Sequence, residues 1–520
     1  MHRLQRSHWR ALSLLVLLAA VVALVFSMPN PLRRTVRQVS TPLLEAGTTP
    51  PQLGCDPGPS KPAPPQNELD PIRPVTRVTD ATLLVDGRLA GQPIAGVGFN
   101  IEPTLWTCPA ARPLIEQRIF DTFHPDLVRV GIAQAPWAPN DADSVDDLTW
   151  DAYQQVLDSP AFQPTWDFIA MLNRRGITPI VAPWGVPGLL TENGEATGKL
   201  KPEYFEKYAE YYAAAIDYMV NRRGLHVGPA SVMNEPDCGD GAHISPRDFP
   251  KVARLVGERL AAYGVQLYGP DTCNADSATH YLDALLHDGQ ALEYFAVIGT
   301  HQYAPGGEVA ELVREMREGG LDLPLYVTEY TTYRYGNLDD GQEAPAEMPY
   351  LLEIASVLQS HLTAGADAAI YWDAVDYYWL LHDAISKWGL LRGPQVQPPL
   401  TPRKHYYGLL QILPYFPAGA RIIDTSQRAP TTLLPLAVER PDDGALSLVL
   451  INRGRELNLE IDLEHLAAPA TRFHVYRTSP DEDRADLGQI AADDDHVQLT
   501  LKARSITTLA APETAPPTPQ

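Results

Sequence analysis

The feature that most limits how this chain can fold is a rhythm: eight short apolar runs rich in β-branched residues, alternating with longer stretches of helical periodicity. The runs start at Ile94 (IAGVGFN), Asp126 (DLVRVGI), Ile177 (ITPIVAP), Pro229 (PASVM), Val265 (VQLYG), Phe295 (FAVIGT), Pro324 (PLYVT) and Asp367 (DAAIYW). Strand followed by helix, repeated, argues for βα units and a parallel sheet. Eight strands is the number that closes a barrel. Helices are expected over Ala111 to Phe123, Trp166 to Arg175, Pro202 to Arg223, Arg247 to Tyr263 and Glu347 to Thr363. Gly176, Gly224 and Gly264 stand where three of these should stop, because a helix commonly ends on a left-handed residue that glycine adopts without strain. The expected fold class is therefore α/β, a (β/α)8 TIM barrel. After Leu413 the pattern changes to short alternating segments, TTLLPLAV, LSLVLIN, LNLEIDL, TRFHVYR and ITTLA, which predict a C-terminal antiparallel β-sandwich as a side domain. The segment ATLLVDG, ahead of the barrel, is a candidate extra strand for it. A chain of 520 residues also exceeds what one hydrophobic core supports, so a second domain is expected on size alone.

The ends of the chain read differently. His2, Arg3, Arg6, His8 and Arg10 precede an uncharged run of 17 residues from Ala11 to Ser27, a basic region followed by an apolar one, as in export segments. That run is longer than most cleaved signals and shorter than the roughly 20 residues of a spanning helix, so residues 1–34 are expected to be a signal peptide or a signal anchor. Prolines crowd residues 35–75, giving an extended linker. Residues 76–412 are assigned to the barrel and 413–510 to the β-sandwich. The proline-rich residues 511–520 form a disordered tail. The bulk of the protein is thus expected outside the cytoplasm, secreted or held at the membrane by its N-terminus. Four cysteines without CxxC spacing exclude a zinc ribbon or thioredoxin-like motif, and an oxidising compartment permits disulfides. The pairs favoured by neighbourhood are Cys55 with Cys108 and Cys238 with Cys273; buried free thiols are the alternative.

Composition narrows the partners. Charged residues make up 20% and apolar residues 45%, an ordinary globular balance. The net charge of -23 opposes phosphate backbones, so nucleic acid is excluded as a partner, while a neutral oligo- or polysaccharide is compatible. No partner chain is implied, and a monomer is expected.

In a (β/α)8 barrel the site forms at the C-terminal ends of the strands. The fourth run ends in SVMNEPD, which puts Asn234 and Glu235 at that rim, and the seventh ends in LYVTEY, which puts Glu329 there. The 94 residues between the glutamates span three βα units, about 31 each, so both side chains arrive at one mouth. Two acids are what glycosidic hydrolysis requires: one protonates the leaving oxygen, the other faces the anomeric carbon. A gap of about 5 to 5.5 Å lets Glu329 attack directly and retain the anomer, and that spacing is expected here. Glu235 has to start protonated, a state that the charge of Glu329 and burial both favour. An isolated Asn-Glu-Pro on an arbitrary strand end would more often be a loop residue or a structural ion pair; barrel position and a partner carboxylate shift the reading to catalysis.

Other rim residues follow from cost and shape. Arg129, inside LVRV, is expensive to bury unpaired and is expected to hydrogen-bond a carboxylate at the mouth, with a structural salt bridge as the alternative. His301 and Tyr303 in GTHQYAP lie on the strand beside that of Glu329 and can orient it, although a satisfied core histidine is as common an outcome. Trp372 in IYWDAVD, and Trp184 from the third strand, offer flat apolar faces for a sugar ring; tryptophans otherwise pack. Asn234 is placed to bind the sugar hydroxyl next to the scissile bond. Asp237, Asp373 and Asp376 lie in loops and are expected to meet substrate or solvent. There is no HExxH and no HxH at a strand end, so a metal site lacks ligands, and no dinucleotide, P-loop or GxSxG pattern occurs in a supporting context. No cofactor is expected. The competing class is a non-catalytic, carbohydrate-binding or surface-anchored barrel.

The segments SVMNEPD, LYVTEY, IVAPWGVPGLL and HYYGLLQILPYFPAGARI together resemble clan A glycoside hydrolases, especially glycoside hydrolase family 30, over roughly Ala81 to Ala510. The resemblance implies that Glu235 is the acid/base and Glu329 the nucleophile of a retaining reaction on β-linked glycosides or glycans. It also implies an arginine beside the nucleophile at Arg129, and a β-sandwich that borrows the strand ATLLVDG. The turn Trp184 to Pro187 resembles the family's proline-rich turn after the third strand. Glu102, in GVGFNIEP, has no counterpart in that pattern.

Overall fold

In a computed structural model, the protein is described for residues 71, 79–132, 142–238, 241–332, 343–379, 384–385, 387–394 and 399–511. The expectations for residues 1–34, for most of 35–75 and for 512–520 fall outside these. Among the described residues no helix is long and apolar enough to cross a membrane.

Eight parallel strands close into a barrel in chain order: β2 (Gly96–Asn100), β3 (Leu127–Ile132), β4 (Ile180–Pro183), β5 (Ala230–Ser231), β6 (Leu267–Thr272), β7 (Phe295–His301), β8 (Leu325–Tyr330) and β9 (Ala368–Tyr371). Their residues are almost all buried, as expected for strands lined by side chains within and by helices without. The helices end where glycine permits: Gly176, Gly224 and Gly264 have φ of 78°, 64° and 71°. Register sets the rim. Asn100 is paired across from Arg129 in β2 and β3, and His301 lies opposite Glu329 in β7 and β8. Strand β5 is short, yet its chain continues in the same course: the Asn234 amide donates to Pro183 O at 3.1 Å and the Glu235 amide to Asp271 O at 2.9 Å.

Past the barrel mouth comes a small hairpin, β10 (Tyr378–Trp379) with β11 (Ala384–Ile385). The C-terminal region holds β12 (Arg421–Arg428), β13 (Leu433–Glu439), β14 (Leu446–Asn452), β15 (Leu457–Glu464), β16 (Arg472–Ser479), β17 (Glu482–Ala491), β18 (His496–Leu501) and β19 (Ser505–Ala510). With β1 (Ala81–Pro93), the strand foreseen in ATLLVDG, they form one nine-stranded sheet in the order β17-β16-β19-β14-β13-β12-β1-β15-β18. The pairing is antiparallel except between β1 and β15, which run parallel. The sheet folds over itself: Leu448 and Leu450 of β14 share one core with Leu459 and Ile461 of β15 and Leu499 of β18. The opposite face, with Leu436, Val438, Val449 and Ile451, joins the core of the barrel. Every residue of β14 is buried for that reason. Ion pairs fasten the joint, Glu353 of the helix Glu343–Thr363 to Arg453 at 2.6 Å and Lys404 to Asp483 at 2.5 Å.

Candidate active site

At the C-terminal end of the barrel, Asn234 and Glu329, both singled out in the sequence, converge with three further side chains on one buried cation. Arg129 is fully buried and uses all of its guanidinium: Nε donates to Tyr268 Oη at 2.8 Å, Nη1 to Asn100 Oδ1 at 3.1 Å and to Glu329 Oε1 at 2.5 Å, and Nη2 to Asn234 Oδ1 at 2.6 Å and Asp271 Oδ2 at 2.8 Å. Burial opposes its charge, but the carboxylates of Asp271 and Glu329 outweigh that and hold it firmly protonated. The planar fork of arginine is the one side chain able to meet five partners in this way.

A second cation sits beside the first. His301, also without exposure, directs Nδ1 at Glu235 Oε1 (2.9 Å) and at Glu329 Oε2 (3.4 Å), and its Nε2 lies 3.3 Å from Asp271 Oδ1. Burial alone would lower its basicity. The charges of Glu329 and Asp271 and the hydrogen bond of Glu235 reverse that and push its pKa up to about 10. Asp271 in turn receives the Thr328 hydroxyl at 2.6 Å and is held well below the carboxylate range, its burial overcome by Arg129 and His301. Tyr303 donates its hydroxyl to Glu329 Oε2. Glu235 and Glu329 each offer a carboxylate oxygen within 4.8 Å of the other. Together with His301 they have the spacing of a metal site, but a protonated imidazole has no lone pair to give a metal.

The walls are aromatic. Trp184 and Trp372 lie with ring centroids 5.3 Å apart and planes tilted by 40°, and Trp372 meets Tyr377 edge-on. Gly131 leaves room for this arrangement, since a Cβ there would come within 3.2 Å of the Trp184 ring. Glu102 follows Asn100 by two residues, accepts the Thr104 amide at 3.3 Å and caps the short helix Pro103–Thr107. Burial pushes its carboxyl up to about 8.

No family model matches the chain. Among characterised proteins, it is 24% identical over 206 residues to the glucuronoxylanase XynC of Bacillus subtilis (strain 168), covering 38% of this chain and 46% of that protein. It is 21% identical over 344 residues to a glucuronoxylanase XynC of Bacillus subtilis, covering 64% of this chain and 74% of that protein. The first of these matches spans less than half of its relative. Among solved structures, a GH30 endoxylanase from Clostridium papyrosolvens C71 superposes with a TM-score of 0.63 at 18% identity, covering 83% of this chain and 99% of that one. The family 30 subfamily 8 xylanase Xyn30A from Clostridium acetobutylicum gives 0.63 at 19% identity, with 83% and 99% covered. A conserved exported protein from Bacteroides fragilis gives 0.64 at 16%, with 82% and 100% covered. The chain has the glycoside hydrolase family 30 fold.

On that fold, three members of the cluster were not read from the sequence: Asn100, Tyr268 and Asp271. The fifth apolar run was taken to end at Gly269, whereas β6 continues to Thr272 and so carries Asp271 to the rim. The rule that polar residues ending barrel strands deserve scrutiny would have found it. Two of the three loop aspartates need correction, while Asp237 is half-exposed. Asp376 is fully buried, accepts Arg403 Nη2 at 2.6 Å and the Gly389 amide at 2.8 Å, and is pushed up to about 6 by burial in spite of that arginine. Asp373 is buried as well, and Asp237 accepts the Cys273 amide at 3.1 Å. The first two are interior groups away from solvent, and the third braces a loop.

Cys238 and Cys273 form a disulfide between the segments that follow Glu235 and Asp271. Cys108 is also disulfide-bonded, and its expected partner Cys55 lies outside the described residues. With a sequence separation of 35, the loss of Cys238–Cys273 should cost about 3 to 4 kcal/mol by loop closure. A Cys238→Ser/Cys273→Ser protein is therefore expected to unfold at clearly lower guanidinium concentration; an unchanged midpoint would show that other contacts already hold these loops.

Proposed function

We propose that the protein is a retaining glycoside hydrolase that cleaves β-linked glycans by double displacement, with Glu329 as nucleophile and Glu235 as acid/base. The observation that carries this reading is that the two carboxylates, from separate strands, meet at the barrel mouth with an oxygen of each within 4.8 Å of the other, which favours the direct attack of a retaining enzyme over a gap wide enough for a water. Glu329 is gripped by Arg129, His301 and Tyr303, donors that fix its direction. In the first step an oxygen of Glu329 bonds to the anomeric carbon while the bond to the leaving oxygen breaks, and that oxygen takes the proton of Glu235. In the second, the Glu235 carboxylate removes a proton from water, whose oxygen displaces Glu329 from the same carbon. Trp184 and Trp372 supply the wall against which a sugar ring packs, and Asn234, held by Arg129, presents its amide to the ring hydroxyls. No step calls for a metal or organic cofactor.

The family 30 fold and the xylanase and glucanase names of its neighbours favour a polysaccharide as substrate. The N-terminal basic and apolar segment favours work outside the cytoplasm. The test is the anomeric configuration of the first product, followed by proton NMR during hydrolysis of a xylan, a β-glucan and simple β-glycosides. Retention is expected on whichever of them is cut; inversion would remove Glu329 from the nucleophile role.

A further inference from the structure

The two glutamates do not account for the most heavily tied acid in the barrel. Asp271 has no exposure and touches both Arg129 and His301 as well as the backbone of Glu235. Oδ2 accepts from Arg129 at 2.8 Å, Oδ1 accepts from Thr328 at 2.6 Å and faces His301 Nε2 at 3.3 Å, and its carbonyl accepts the Glu235 amide at 2.9 Å. Its backbone and that of Glu235 are both left-handed, with φ of 63° and 44°, a conformation that aspartate tolerates better than most residues and glutamate adopts at a cost. So much constraint on a residue that faces no substrate calls for a role.

We propose that Asp271 is a positioning residue that holds the His301 imidazole doubly protonated, so that Nδ1 donates to Glu235 Oε1 and the transferable proton of the acid/base stays on Oε2. This rests on the reading of Glu235 as acid/base. The logic lies in the donor count. A neutral imidazole carries one N–H. A neutral His301 with its one N–H on Nε2, beside the Asp271 carboxylate 3.3 Å away, would present a bare Nδ1 to Glu235, and the carboxyl would hand its proton to that nitrogen, away from any leaving group. A charged imidazole donates from both nitrogens and leaves Glu235 no acceptor there. The groups facing His301 fit this. Asp271 stands on one side, Glu235 and Glu329 on the other, the Tyr303 ring stacks at 6.3 Å between centroids, and Arg129 lies behind Asp271. Glu329 loses its charge when it bonds to sugar, whereas Asp271 keeps its own throughout. The anion that sustains His301 across both steps is therefore Asp271.

The experiment follows His301 by its imidazole nitrogen resonances in the full-length protein, alongside rates on β-glycosides with good and poor leaving groups. The wild type is expected to stay doubly protonated at pH 8. In Asp271→Asn, with Glu329 still charged beside the ring, the imidazole should lose a proton at a clearly lower pH than in the wild type. Rates on poor leaving groups should fall along that same titration, by about 100-fold at pH 8, while activated aryl glycosides outlast it. A merely structural residue would lower both substrate classes together and leave no matching titration, which would overturn the proposal. Should Asp271→Asn not fold, Glu235→Gln/Glu329→Gln leaves Asp271 as the remaining carboxylate on the ring. His301 doubly protonated at pH 8 in that protein supports the proposal, and its loss there refutes it. A wild type inactive on every glycoside would remove the hydrolase reading instead, with the resonances still reporting on the Asp271 pairing.

Discussion

Glu329→Ala is expected to abolish turnover on every substrate the protein accepts, a fall on the order of 10⁵-fold, because in the proposed double displacement both bond changes at the anomeric carbon pass through that carboxylate. Glu235→Ala should behave differently. General acid help contributes roughly 10² to 10⁴-fold, and most of it is needed only when the departing oxygen is a poor leaving group. A nitrophenyl-type glycoside should therefore keep its first step almost intact and stall as the glycosyl-enzyme, giving a burst followed by slow turnover. Added azide needs no base to attack the intermediate and should restore the rate, forming a β-glycosyl azide. The same anion added to the Glu329→Ala protein should form the opposite anomer. Equal, mild losses in both variants, or azide products of a single configuration, would show that the roles have been misassigned.

The second large effect concerns Arg129. Replacement by methionine keeps the length of the side chain and removes the cation, leaving Asp271 and Glu329 buried without it. Breaking a buried pair from one side costs about 3 to 5 kcal/mol, because the remaining charge is stranded. Guanidinium unfolding should register that loss. Activity should drop by about 10² to 10³-fold on good and poor leaving groups alike, since the nucleophile itself loses its main electrostatic support. Lysine at the same position is not expected to rescue either property, as its single ammonium cannot reach Tyr268, Asn100, Glu329, Asn234 and Asp271 together. A lysine variant with wild-type stability and rate would show that charge alone, without the fork, is sufficient.

What could be read from the chain in advance was whatever local pattern encodes. The barrel strands announce themselves as apolar runs, and the glycines at 176, 224 and 264 mark helix ends by their backbone needs alone. Asn234, Glu235 and Glu329 were legible as a gathering because each is a polar residue closing such a run. The strand of ATLLVDG was readable as a strand, but its parallel partner β15 lies hundreds of residues away, and a hydrophobic pattern does not say which edge a strand will join. Asp271 was hidden by a Gly-Pro pair that reads as a turn, although the chain passes through it extended and still bonded to β7. Asp376 looked like a solvent-facing loop aspartate because its partner, Arg403, is 27 residues further on. A loop rich in acidic residues carries the same composition whether or not an arginine returns to cover it. The aromatic pair Trp184 and Trp372 shows the same limit, since two separate strand ends had to meet before either ring acquired a neighbour.

The position of β1 bears on how the molecule is made. Its hydrogen-bonding edges are taken by β12 on one side and β15 on the other, both synthesised after the entire barrel. A nascent chain therefore emerges with this strand unpaired and must keep it so while more than three hundred further residues leave the ribosome. Closing so long a loop is slow, and an orphan strand invites the wrong neighbour in the meantime. The barrel's strands are all made before the late sheet, which waits for the last hundred residues and supplies part of the barrel's own core, so a chain halted early would carry β1 unpaired and that core incomplete.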